Sequence, residues 1–314
     1  MPSSAPPRDA VSVIAQEFLV DDPCALSVHV PGAHTRLRPG SDPERVEIDI
    51  SVTGCPPDEA EAILDRMQVG TRQMKDTVHV YSDSDRSDAE WWRWVRTLDV
   101  DLHVDLRLPR YVEAEIRAPG GAVDIADLEG RIDVNVMGGP CHAKDLGGTL
   151  DIRAESSDVS IDGFRGNEVI ARVAVGSLTL TDVEADTLTV RAVAGPLSLH
   201  TITGAATVTA KSTSVELEDV SGPCTAQVQA GRLAFRGAPT EEVTLRGIGS
   251  SLDVTLPADH GADLRMRGPA PTLADGLSFE GERTDQTIEG TLAGGGPALT
   301  LEAVGNGAVR CRPS

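Results

Sequence analysis

The sequence predicts an all-β fold: a single-stranded right-handed parallel β-helix, or β-solenoid, with coils of about 18–19 residues and a β-rich N-terminal cap containing one short helix. Three observations predict it. The same apolar pattern returns every 17 to 19 residues between positions 131 and 239. Within each return, apolar and polar residues alternate with period two, and no helical pattern separates them. Aromatic residues make up only 3% of the chain, as suits a narrow interior filled by small aliphatics.

Residues 1–9 are polar and proline-rich, and are expected to be disordered. Residues 10–110 read as the cap or first coils. Strand-like runs occur at 11–14, 26–30 and 46–52, with turns at Pro31-Gly32 and Pro39-Gly40. The segment PPDEAEAILDRMQV reads as a helix near 57–69. Proline stands at its start, acids follow in the first turn, and Ile63, Leu64 and Met67 share one face. Further strands are expected at 77–81 and 98–108.

Residues 111–257 hold the regular coils. Leu188, Val190 and Ala192 alternate with Thr189 and Arg191, then Leu197 and Leu199 with Ser198 and His200. A third apolar anchor follows at Val183, Ile202 and Val220. A hairpin meander explains alternation but not recurrence of one side-chain class every 18 or 19 residues. Stacked coils explain both. They place Leu150, Val169, Leu188, Ala206, Cys224 and Val243 in one interior column. Ile152, Ala171, Val190, Val208, Ala226 and Leu245 form the next, and Val159, Leu178, Leu197, Val215, Leu233 and Leu252 line another wall. Gly176, Gly195 and Gly231 punctuate corners, where positive φ is often needed. The six-residue sub-repeat of a left-handed hexapeptide helix is absent, and parallel crossovers favour the right hand. Residues 258–314 read as looser C-terminal coils with Gly/Pro-rich loops.

With these features in order, the chain resembles the bacterial putative-adhesin family of β-strand-repeat proteins over about 11–312. The features are an F-x-V opening (Phe18–Val20), L-x-V-x-V (Leu26–Val30), a strand ending in a Leu-Pro step (Leu106–Pro109), and G-x-V-x-I-x-x-L-x-G (Gly121–Gly130) echoed coil after coil. The close, GGGPALTLEAVGNGAV, completes the series. The resemblance implies a β-solenoid and a surface or adhesive role. It supplies no catalytic residues.

Composition narrows the function further. The chain has 314 residues, 49 acidic against 28 basic, for a formal charge of −21. That argues against nucleic acid, which needs a basic footprint, and against anionic membrane surfaces. No apolar run approaches a membrane span. The N-terminus has neither a basic nor an apolar leader region, so the expected location is cytoplasmic, with the cell surface as the alternative that the family implies. Five scattered cysteines without metal spacing fit free thiols in a reducing compartment. No metal or cofactor is expected. Neither a phosphate loop nor a nucleophile elbow is present, and the acidic run 82–88 lacks the glycine and closing glutamate of an EF-hand.

Two groups stand out as speculative ligand or partner sites. Arg153, Arg172 and Arg191 fall on equivalent outward positions, about 5 Å apart if the coils stack. Their repulsion must be offset by neighbouring acids such as Asp151, or by a bound anion that the planar guanidinium grips bidentately. Trp91, Trp92 and Trp94, all the tryptophans of the chain, cluster either as a binding platform or as a plug between cap and first coil. On another wall Glu216 and Glu218 are spaced as an acid and base could be. The reading that follows is a non-enzymatic binding or scaffold module for an unknown protein or an acidic glycan or anion. The alternatives are an intracellular solenoid that self-assembles through its ends, and a carbohydrate-binding or carbohydrate-active β-helix.

Overall fold

The computed structural model describes residues 10–21, 23–83 and 100–314. Trp91, Trp92 and Trp94 lie outside the described residues, as do residues 1–9 and most of the acidic run at 82–88. The described residues form an all-β, mostly parallel structure with one helix. The chain divides into two compact units, 1–153 and 154–314.

In the second unit, sequence alternation becomes a parallel ladder. Val169, Leu188, Ala206, Cys224 and Val243 are successive register partners, spaced by 19, 18, 18 and 19 residues. Ala171, Val190, Val208, Ala226 and Leu245 form the column beside it. On a second wall Val159, Leu178, Leu197, Val215, Leu233 and Leu252 align. All are buried. Removing a Val or Leu side chain from water is worth about 1.5–3 kcal/mol, so aligned columns repeat that gain at every level. Leu150 and Ile152 are equally buried in the first unit.

Corners are made in two ways. Before the third anchor the chain turns through a left-handed residue: Asp127, Asp145, Asp182, Thr201 and Asp219 all have φ near +50°. Aspartate tolerates this conformation better than most residues. The buried anchors Leu128, Leu146, Val183, Ile202 and Val220 follow directly. The other corner is a backbone-to-backbone approach. A Cβ on Gly195 would lie 2.1 Å from the Gly176 carbonyl oxygen, and one on Gly231 would lie 1.9 Å from that of Thr213. Gly195 has φ +114°, whereas at the Gly231 corner it is Ala230 that takes the left-handed conformation. Glycine at 231 therefore answers to crowding and not to a positive φ. Where this corner is not glycine, a hydroxyl is tied back to backbone: Thr213 Oγ1 donates to the Gly195 carbonyl. Ser250 Oγ accepts from the Gly231 N–H at 3.0 Å.

Constant spacing fails at both chain ends. Val243 pairs with Leu299, so strand Val243–Ile248 lies beside Ala298–Val304. The latter has Ala262–Arg267 on its other side. Likewise Val309–Pro313 lies between Ser251–Leu256 and Thr272–Leu273. The last strands thus fill a slot between two earlier levels. The outermost strand, Ala262–Arg267, is covered by antiparallel Thr287–Leu292, which pairs with Phe279–Arg283. That final edge carries Glu280, Glu282 and Arg283, which blunt an open strand.

The first unit repeats the device. Strand Cys24–His29 lies between Tyr111–Pro119 and Thr77–Ser82. Ala33–Pro39 lies between Val123–Ala126 and Asp101–Leu108. Antiparallel strands again cover the end: Val69–Met74 on Thr77–Ser82, and Arg45–Thr53 followed by Val11–Leu19 on Asp101–Leu108. The helix Pro57–Met67 has proline in its first turn with Asp58 and Glu59, which suit its positive end. It packs against the strands Val11–Leu19, Arg45–Thr53 and Val69–Met74. Its buried residues are Ala60, Ile63, Leu64 and Met67.

Candidate functional site

Period-two strands place every second residue outward, and parallel register turns those positions into rows. In the second unit one row runs Arg172, Arg191, Thr209, Gln227, Arg246, Glu302. Beside it runs a row of five threonines, at 189, 207, 225, 244 and 300. Arg172 is half-buried and Arg191 exposed, at one strand spacing from each other. Arg246 meets Glu302 at 3.6 Å.

Arg153 belongs to the first unit, where its charge is answered along its own strand by Asp151 at 3.0 Å. The same two-residue pairing joins Arg131 to Asp133 at 3.0 Å and Arg117 to Glu115 at 2.6 Å. These residues border an open groove of about 440 Å³. Exposed pairs of this kind contribute little to stability, about 0–1 kcal/mol each. They leave a wall of alternating charge.

On the second wall Ser160, Thr179, Ser198 and Glu216 align, as do Asp162, Thr181, His200, Glu218 and Arg236. Glu218 Oε2 lies 3.0 Å from His200 Nδ1, and Glu216 meets Arg236 at 3.5 Å. Both carboxylates are thus partnered on an open face.

The first unit holds a cluster that sequence reasoning missed. Parallel and antiparallel pairings bring His34, Arg36, Ser51, His103, Asp105 and Asp124 together from four strands. His34 Nε2 lies 2.7 Å from Asp124 Oδ2. The Arg36 guanidinium, which can only donate, lies 3.4 Å from His34 Nδ1, so that nitrogen accepts and Nε2–H donates to Asp124. Arg36 also meets Asp105 at 3.5 Å and Asp124 at 3.8 Å. Burial pushes the Asp124 carboxyl up. The hydrogen bond and charge of His34, with His142 and Arg38, outweigh it and hold Asp124 below the ordinary carboxylate range. His103 is 5% exposed, with its ring centroid 5.8 Å from that of His34. Neither of its ring nitrogens has a hydrogen-bond partner. The available signal was six polar residues on four strands remote in sequence, and only the irregular end pairing unites them.

Four of the five thiols, Cys24, Cys141, Cys224 and Cys311, are buried and held in the protonated form. Burial pushes Cys24 and Cys224 up to about 11. Burial drives Cys141 and Cys311 up to about 12, with Asp124 adding to the effect at Cys141. Cys55 is partly exposed, and burial, Glu59 and Asp58 raise it more modestly. A disulfide-exchange reagent at pH 8 is therefore expected to label Cys55 alone in the native protein and all five thiols after denaturation. Rapid labelling of a second native thiol would contradict the burial of these columns. Among the described residues no three His, Cys, Asp or Glu side chains form a group that could hold a metal ion, and no helix is long and apolar enough to cross a membrane.

No family model matches the sequence, and no curated protein matches it. Among solved structures the chain is similar to a putative adhesin from Bacteroides fragilis NCTC 9343, at 11% identity and TM-score 0.37, over 95% of this chain and 96% of that one. It is similar to a putative adhesin from Parabacteroides merdae ATCC 43184, at 12% identity and TM-score 0.39, over 95% of each. A putative cell adhesion protein from Clostridium sporogenes ATCC 15579 matches at 8% identity and TM-score 0.20, over 96% of this chain and 99% of that one.

Proposed function

We propose that each unit is a right-handed parallel β-solenoid and that the chain is a non-enzymatic binding or scaffold module. Its outward rows present repeated side chains at strand spacing to a protein or an acidic glycan. The observation that carries this reading is the in-register row Arg172, Arg191, Thr209, Gln227, Arg246, lying on an open wall. A periodic partner with carboxylate or sulfate groups could engage several levels at once, with arginine as the bidentate contact. Attachment at a cell surface is the form of binding that the sequence resemblance implies. The antiparallel strands over the outermost parallel strands count against end-to-end stacking of copies.

The test is a variant with Arg172 and Arg191 both replaced by serine, compared with the parent on an array of neutral, sulfated and carboxylated glycans. The side chains lie outside the core, so the melting temperature should stay within about 3 °C of the parent. Binding to acidic glycans should fall at least tenfold, and should fall with added salt in the parent. If the parent binds no acidic glycan, or the variant binds equally well, the arginine row is not the contact. Protease treatment of intact producing cells, with fractionation, tests surface attachment separately.

A further inference from the structure

We propose that His103, with His34 and Arg36, forms an acid-sensitive latch that holds the antiparallel cover, Arg45–Thr53 and Val11–Leu19, on the end of the first unit at neutral pH and loosens it below about pH 6.5. His103 occupies an outward position of Asp101–Leu108, yet it is nine-tenths buried. Its register partner on the cover strand is Ser51, and its partner on the other side is His34. A buried imidazole with two unpartnered nitrogens already bears the cost of lost hydration. Taking up a proton would turn it into a buried cation with no counter-ion in contact.

The surroundings make that cation worse placed. From Ala33–Pro39 come the Arg36 guanidinium and the His34 ring. The strand's own Asp101 and Asp105 oppose them, and Asp105 is engaged by Arg36. From the cover strand come Asp49, the register partner of Asp105, and Ser51. Beyond it Val11–Leu19 brings Ser12 opposite Ser51. Asp124, from Val123–Ala126, is committed to His34 and Arg36, and His142 is its own register partner. Burial first, then Arg36 and His34, hold the His103 pKa below the ordinary 6.5, while Asp105 and Asp101 act in the opposite sense. The unfolded or detached segment has the ordinary value. The closed form therefore binds fewer protons, so its stability is complete above pH 6.5 and falls as pH drops through and below it. The first event is release of the cover, since His103 faces it directly and the interior columns contain no titrating histidine.

Two measurements on the full chain test the latch. Amide hydrogen exchange, corrected for the intrinsic pH dependence, is compared at pH 7.5 and 5.5. Protection at 45–53 should drop at least tenfold at pH 5.5, while protection at 197–210 in the second unit stays constant. Equal protection of 45–53 at both pH values overturns the proposal. In His103→Phe, the loss of protection at acid pH should shrink at least threefold; an unchanged loss overturns it. Should that variant not fold, NMR titration of the His103 ring in the parent decides: a midpoint below 6.5 is expected, and one at or above 6.5 overturns the latch.

Discussion

Replacing Val190 with Asp is expected to unfold the second unit at temperatures where the parent is native. Val190 has no exposed surface and lies between Ala171 and Val208 in an unbroken apolar column. A carboxylate there would sit against the aliphatic side chains of Ala171 and Val208, and the neighbouring levels cannot part without breaking the ladder. The cost is about 4 kcal/mol or more, a fall in melting temperature of roughly 10 °C. The adjacent Thr189→Asp, on the outward row, should change stability by less than about 1 kcal/mol. Thermal melts of the two variants check the assignment of inside and outside; equal losses would refute it.

A single methyl group at a corner should cost nearly as much. In Gly195→Ala the new Cβ would meet the Gly176 carbonyl oxygen at 2.1 Å, and φ is +114°, a region open essentially to glycine alone. Collision and backbone strain together should cost about 2–4 kcal/mol, measured by denaturant unfolding. Gly249 also has positive φ, at +58°, but nothing lies within 4 Å of a Cβ built on it. Gly249→Ala is therefore expected to lose only about 1 kcal/mol. Similar losses at both sites would mean that the corners owe nothing to close stacking.

The Val190 column was legible because period-two alternation and a steady unit length both point to it, and each signal survives without knowledge of the neighbours. The corner at Gly231 was legible as a corner, but its reason was not: crowding against Thr213 depends on the level beneath. The Arg153–Asp151 pairing was readable from strand alternation, since residues two apart share a face. The His34–His103 contact was not. It joins strands 69 residues apart through a level inserted out of order, and no constant offset marks that insertion. The same loss of offset hid the pairing of Val243 with Leu299, since an alternating strand looks alike in parallel and antiparallel company.

The slotting of strands 298–304 and 309–313 between earlier levels also bears on the time course of folding. Residues 243–256 and 262–273 must wait, with a strand-wide gap between them, until more than twenty further residues have been threaded into place. Closing that gap is a late, high-contact-order event, and such events are slow. Once closed, the final strands cannot peel away one at a time, because each is hydrogen-bonded on both sides. Escape from the native state then requires the cover and the outer level to come off together. The protein should accordingly refold slowly and with exposed strand edges on the way, yet unfold more slowly still, so that its persistence is set by a barrier more than by an equilibrium.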